Sequence, residues 1–212
     1  MIIRSIMTPE SKLKVLSPNL KVKEALDAVL EDGFLSLPVV QGKKYIGIFY
    51  KNKVYDAIFS DPQKKEEILN DSLENWIISE ALPLHELDYV ERAAEKFSKN
   101  NWSFIPVVNK LEEFVGIVTQ KAIFQVVVRV YGLEDARLII HSYDFVGVLS
   151  NITKVIQKHG ANITNVTQYD TDIIGITEIS IRLKGENLDQ LVKKLKAKGI
   201  KVHEFIEKQE LL

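Results

Sequence analysis

Two short motifs occur twice in this chain, in the same order and at nearly the same spacing. Leu37-Pro38-Val39-Val40 returns as Ile105-Pro106-Val107-Val108, and Tyr45-Ile46-Gly47-Ile48-Phe49 returns as Phe114-Val115-Gly116-Ile117-Val118, an offset of about 68 residues. Such self-similarity means that one supersecondary unit is used twice, each copy burying against the other an apolar face it could not bury alone. The flanking pattern agrees. Val22, Ala25, Leu26, Val29 and Leu30 fall on one face of a helix, and Val90, Ala93, Ala94 and Phe97 repeat that face. Polar turns, Gln41–Lys44 in the first copy and Asn109–Glu113 in the second, separate the two apolar runs of each repeat. Each copy therefore predicts helix, strand, turn, strand, helix, the first over about 1–59 and the second over about 73–131. Between them Ser60–Ser72, with Asp61-Pro62 and Lys64-Lys65-Glu66-Glu67, reads as a solvated surface connector.

Beyond Gly132 the pattern changes, and residues 134–209 read as a second domain. Arg137–His141 is a short apolar strand, and Val148, Leu149, Ile152, Val155 and Ile156 form a helical face that ends before Gly160, a left-handed C-cap. Two strands follow, Ile163–Tyr169 and the alternating run Ile179, Ile181, Leu183. A second helix carries Leu188, Leu191, Val192 and Leu195, with Asn187 as its N-cap and Gly199 as its stop, and a last strand runs from Lys201 to Ile206. The order βαββαβ is the ferredoxin-like plan, with two helices on one face of a four-stranded sheet. Its other face needs a cover, from the rest of the chain or from a second copy. The fold class is α+β.

Composition narrows the function classes. The 28 basic and 29 acidic residues nearly cancel, which gives no sign of nucleic acid or membrane as a partner. The chain has no cysteine, so it has no disulfide scaffold, thiolate metal site or cysteine nucleophile, and a cytoplasmic location is expected. Met1–Met7 lacks an extended apolar region, and the run from Ala122 to Val130 is interrupted by Gln125 and Arg129, so neither secretion nor membrane insertion is expected. His85, His141, His159 and His203 lack metal-site spacing, and His141 reads as a packed core histidine. Trp76, Trp102 and Phe104 read as core aromatics, with stacking on an adenine as the alternative. No nucleophile elbow, P-loop or paired acid and base is visible, and the chain reads as non-catalytic, with no cofactor.

The repeated motifs, each set after an amphipathic helix, resemble a pair of CBS domains, a Bateman-type module over about 1–131. Asp144-Phe145-Val146-Gly147-Val148-Leu149, followed by Gly160-Ala161-Asn162-Ile163, resembles the ACT domain of amino-acid-sensing proteins. The combination resembles regulators of the acetoin utilization protein B type. This resemblance implies a regulatory protein that binds an adenosine nucleotide or an amino acid, forms a homodimer and signals to an effector protein. A scaffolding protein with decayed ligand sites is the alternative. In nucleotide-binding CBS members, Gly-hydrophobic-x-Thr/Ser-x-x-Asp follows the second strand, its hydroxyl meeting phosphate and its carboxylate gripping the ribose. Here the first copy has Tyr50 and Lys53 at those two positions, and the second has Thr119 and Ala122. Loss of the carboxylate removes charge-assisted hydrogen bonds of about 1.5–3 kcal/mol, so weak nucleotide binding is expected. Thr119 is the candidate phosphate contact or, alternatively, a plain helix cap, with Lys53 and Lys121 as candidate sources of charge. In the ACT-like segment the resemblance implies a ligand site built from Asp144, Gly147, Val148, Leu149 and Asn162. Asp144 would accept from an ammonium group, while Gly147 would let a carboxylate reach the N–H groups of Val148 and Leu149.

Overall fold

The computed structural model describes residues 1–132, 134–143, 146–171 and 175–207. The chain divides into two units, Met1–Val126 and Val127–Leu212. The N-terminal unit begins with strand β1 (Thr8–Pro9), then α1 (Val22–Glu31), β2 (Ser36–Gln41), β3 (Lys44–Tyr50), α2 (Lys51–Ser60), α3 (Lys65–Asn70) and β4 (Ile77–Ile78). The second repeat continues with β5 (Leu84–His85), α4 (Val90–Lys99), β6 (Phe104–Val108), β7 (Phe114–Thr119) and α5 (Gln120–Tyr131). The boundary between units falls inside α5.

The connector Ser60–Ser72 is more than the solvated link its charges suggest. It contains α3, whose Ile68 is buried and whose Leu69 packs on the first repeat's core. One apolar pair per turn is enough to dock a short helix, and the charged residues around it occupy the exposed face.

The hairpins β2–β3 and β6–β7 are antiparallel, and each carries a register shift at the same place, Val39/Val40 and Val107/Val108. What completes each sheet comes from the other repeat's approach segment. β4, which leads into the second repeat, pairs with β3 of the first, and β1, which leads into the first, pairs with β7 of the second. The repeated glycine permits both crossings. A Cβ on Gly47 would sit 2.6 Å from the Ile78 carbonyl oxygen, and one on Gly116 would collide with the Thr8 carbonyl and lie 3.1 Å from the Pro9 Cα. Each repeat has its own core, and a further cluster of Val40, Ile48, Ala81, Phe104, Phe114 and Ile117 joins the two. Phe104 is buried there, with Trp102 partly buried beside it, while the Trp76 indole N–H donates to Asp71 at 2.9 Å.

The C-terminal unit carries β8 (Ala136–Ser142), α6 (Val148–His159), β9 (Asn162–Asp170), β10 (Thr177–Lys184), α7 (Leu188–Ala197) and β11 (Val202–Ile206), in the sheet order β11-β8-β10-β9. Leu138, Ile140, Ile179, Ile181 and Leu183 alternate onto the face covered by Ile152, Ile156, Leu191 and Leu195 of the two helices. Gly160 ends α6 at φ 86°, its N–H reaching the carbonyls of Ile156 and Gln157. Asn187 does precede α7, but at φ 53° and without a side-chain cap, so its backbone conformation rather than its amide starts the helix. The outward face of the sheet is largely polar, around a buried Ile139. Arg137, His141, Glu178, Ser180, Arg182, Asn165 and Thr167 share it by register, and the Asn165 amide donates to the Val130 carbonyl in the last turn of α5 at 2.7 Å. His141 is thus not a core residue: it is half-buried on this outward face, stacked on His203 at 4.0 Å between ring centroids and 3.4 Å from a Glu178 carboxylate oxygen.

Candidate functional site

In the N-terminal unit, Thr119 is the last residue of β7, and its Oγ1 accepts the N–H of Ala122 at 3.2 Å. It therefore caps α5, one of the two roles open to it in the sequence. The same side chain lines a cleft of about 320 Å³ together with Lys12, Lys14, Phe34, Pro38 and Phe104. A hydroxyl that accepts one N–H keeps its own proton to donate, so capping and ligand contact are compatible. Phe34 and Leu35 are 46% and 59% exposed and give the cleft an apolar wall, while the Ser36 and Ser103 hydroxyls meet across it at 2.5 Å. Lys14 is held by the Glu31 carboxylate and, at 3.3 Å, by Asp32, an arrangement that raises its pKa and keeps it charged. Lys53 and Lys121 lie exposed in the first turns of α2 and α5, and neither lines this cleft. Lys12 and Lys14, the cations that do line it, carry no motif in the sequence.

The repeat puts a different residue at the equivalent position. Tyr50, the last residue of β3 and the counterpart of Thr119, is partly buried against the cluster that joins the repeats, as is Trp102. At the hairpin end, Tyr45 stacks on Phe114 at 6.1 Å, and its hydroxyl is buried without a partner among the described residues. Burial pushes that hydroxyl's pKa up.

In the C-terminal unit, Gly147 precedes α6 at φ 78°, a left-handed conformation that asks for glycine independently of any ligand. A Cβ placed there meets nothing within 4 Å. The backbone at Gly147 is therefore not helical, and a branched residue at this position would be strained. Val148 lines a cavity of about 600 Å³ with Asn151, Lys154, Lys158, Lys198 and Lys201. The N–H groups of Val148 and Leu149 belong to the first turn, where no intrahelical acceptor exists, and Leu149 is 40% exposed. Four lysines drawn from α6 and the approach to β11 make this opening positive, a feature spread too thinly along the sequence to read as a motif. Asp144 lies outside the described residues. Asn162 is not brought to Gly147 within one chain. It pairs with Lys184 at one end of the sheet, whereas the loop to Gly147 leaves β8 at Ser142, in register with Thr177 and Asp170 at the other end, roughly 20 Å away at strand rise. Among the described residues no group of three His, Cys, Asp or Glu converges as a metal site, and no helix is long and apolar enough to cross a membrane.

This architecture has known counterparts. The CBS domain family model matches residues 3–60 and 76–129, and the ACT domain model matches residues 136–199. The chain is a CBS-pair protein with an ACT domain. Among solved structures, the CBS pair is similar to CBSX2 in complex with AMP, at 21% identity and a TM-score of 0.53, covering 60% of this chain and 96% of that one. It is similar also to a CBS domain-containing protein from Bacillus anthracis, at 22% identity and a TM-score of 0.55, covering 60% and 92%. CbpB in complex with c-di-AMP matches at 19% identity and a TM-score of 0.51, covering 60% and 84%. In sequence the chain is 26% identical over 194 residues to an inosine-5'-monophosphate dehydrogenase from Korarchaeum cryptofilum. The match covers 84% of this chain but only 37% of that enzyme, so the chain spans little more than a third of its relative's length.

Proposed function

We propose that this protein is a non-catalytic sensor that binds a nucleotide at the Thr119 cleft of its CBS pair and a small carboxylate or amino acid at the Gly147 end of its ACT domain, and signals their presence to a partner protein. The observation that carries the reading is the cleft at Thr119, lined by that hydroxyl and by the ammonium groups of Lys12 and Lys14; at the matching position of the first repeat stands Tyr50, partly buried against the cluster that joins the repeats. One nucleotide per chain is then the expected stoichiometry. CBSX2 and CbpB, whose folds the pair shares, are seen with AMP and c-di-AMP, which supports a nucleotide as the ligand class. With Ala122 where a ribose-gripping carboxylate would stand, affinity is modest.

Calorimetry with AMP and c-di-AMP tests this on the full chain. The expected result is one site per chain, lost in Thr119→Val and kept in Thr119→Ser. Absence of binding at millimolar nucleotide would favour the second reading, an interaction protein whose ligand sites have decayed, which Tyr50 and Lys53 at the motif positions of the first repeat specifically suit.

A further inference from the structure

The outward face of the ACT sheet holds an arrangement that neither the CBS cleft nor the Gly147 loop explains. Arg137 on β8 and Arg182 on β10 are direct cross-strand neighbours on the two central strands. Like charges placed opposite each other on a sheet destabilise it. Arg182 is nevertheless only 6% exposed, and among the described residues its guanidinium makes a single hydrogen bond, to the Asp135 carbonyl at 2.8 Å. Arg137 donates from Nε to the Ser180 hydroxyl at 2.9 Å and lies 3.7 Å from Glu178. With five N–H donors, Arg182 leaves most of its capacity unspent, while Arg137 shares its own among Ser180, Glu178 and Tyr169. Burial, with the Arg137 charge adding to it, pulls the Arg182 pKa down.

Both guanidiniums line a cavity of about 350 Å³ on this face, roofed by Val127 and Val128 from the end of α5 and bordered by Thr167 and Ser180. No carboxylate lines it. The carboxylates near it are engaged elsewhere, Glu178 by the Tyr169 hydroxyl, His141 and Arg137, and Asp135, whose charge reaches Arg182, by Thr164 and Lys184. A buried and a half-buried cation side by side with open donors call for an anion, and a planar fork suits a carboxylate. The apolar roof suits a short aliphatic body. An ammonium group would find no carboxylate in the lining and would face two like charges. We infer that this pocket binds a small aliphatic carboxylate lacking an ammonium group, a 2-oxo acid rather than an amino acid, held by Arg137 and Arg182 beneath Val127 and Val128.

The test uses the full chain, with 2-oxoisovalerate, valine and inorganic phosphate as probes in thermal-shift and calorimetric titrations. The oxo acid should bind at least tenfold more tightly than valine or phosphate. Arg137→Gln should weaken it by tenfold or more. Because substitution of Arg182 endangers the fold, Thr167→Glu provides the second arm: a carboxylate on the pocket wall should raise the melting temperature of the ligand-free protein and abolish the oxo-acid response. Phosphate binding best would overturn the carboxylate assignment. An oxo-acid response unchanged by Arg137→Gln, or no response at all, would overturn the site, as would a Thr167→Glu protein that melts lower and still binds.

Discussion

Thr119 and Tyr50 occupy the same position in two copies of one motif, the one lining a cleft with its hydroxyl and the other partly buried against the cluster that joins the repeats. The motif was legible in the sequence down to the missing carboxylates; that the tyrosine would turn toward the core was not, because an aromatic at a strand end can face either way. Tyr45 offers a plainer expectation. Its hydroxyl is buried and unpartnered, so Tyr45→Phe removes an unmet hydrogen-bonding group and should leave stability unchanged or raise it by up to about 1 kcal/mol in chemical denaturation. Asp71 is the reverse case. Its carboxylate accepts from the Trp76 indole and the Asn75 amide at 2.9 Å and from the Ser72 N–H at 2.8 Å, contacts that lower its pKa below the ordinary 3.8. A carboxyl depressed in the folded state stabilises above its unfolded pKa, and that contribution is lost as pH falls through the folded value. Asp71→Asn should therefore lower the melting temperature at neutral pH, and the gap to the unmodified protein should close as the pH drops below 3.8.

At the scale of elements, the helices and paired strands follow the apolar periods closely: α1, α4, α6 and α7 fall where periods of 3.6 place them, and the hairpins where the polar turns do. The two-residue strands β1, β4 and β5 have no period to betray them. Gly47 and Gly116 were visible as repeats, yet their reason, room for a crossing strand, is a contact between residues about 30 or more than 100 positions apart. Gly116→Ala should displace β1 and cost about 1–3 kcal/mol in chemical denaturation. The ACT site was half legible. The helix start at Gly147 was readable from its glycine, whereas the distance of Asn162 follows from strand direction, which motif spacing does not carry.

For the whole molecule, two stripes stand out. Tyr55 and Phe59 on α2 are 42% and 89% exposed, and their counterparts Phe124 and Val128 on α5 are 67% and 51% exposed. Large apolar side chains exposed at matching places in both repeats suit burial against a second copy. Light scattering should give twice the 24.2 kDa chain mass at micromolar concentration, and Phe124→Glu should return the chain mass. Ligands at the two domains, if coupled, must change each other's affinity by an equal factor, which paired titrations of AMP in the presence and absence of a carboxylate ligand will read.

The exchange of β1 and β4 between the repeats has a further consequence. A polypeptide holding one repeat alone would present β3 or β7 with a bare edge, and a second polypeptide could supply the missing strand. Carrying both repeats in one chain makes that donor permanent. Strands that would otherwise have to meet by diffusion are tethered by a chain segment, so pairing between polypeptides is replaced by a contact within one fold.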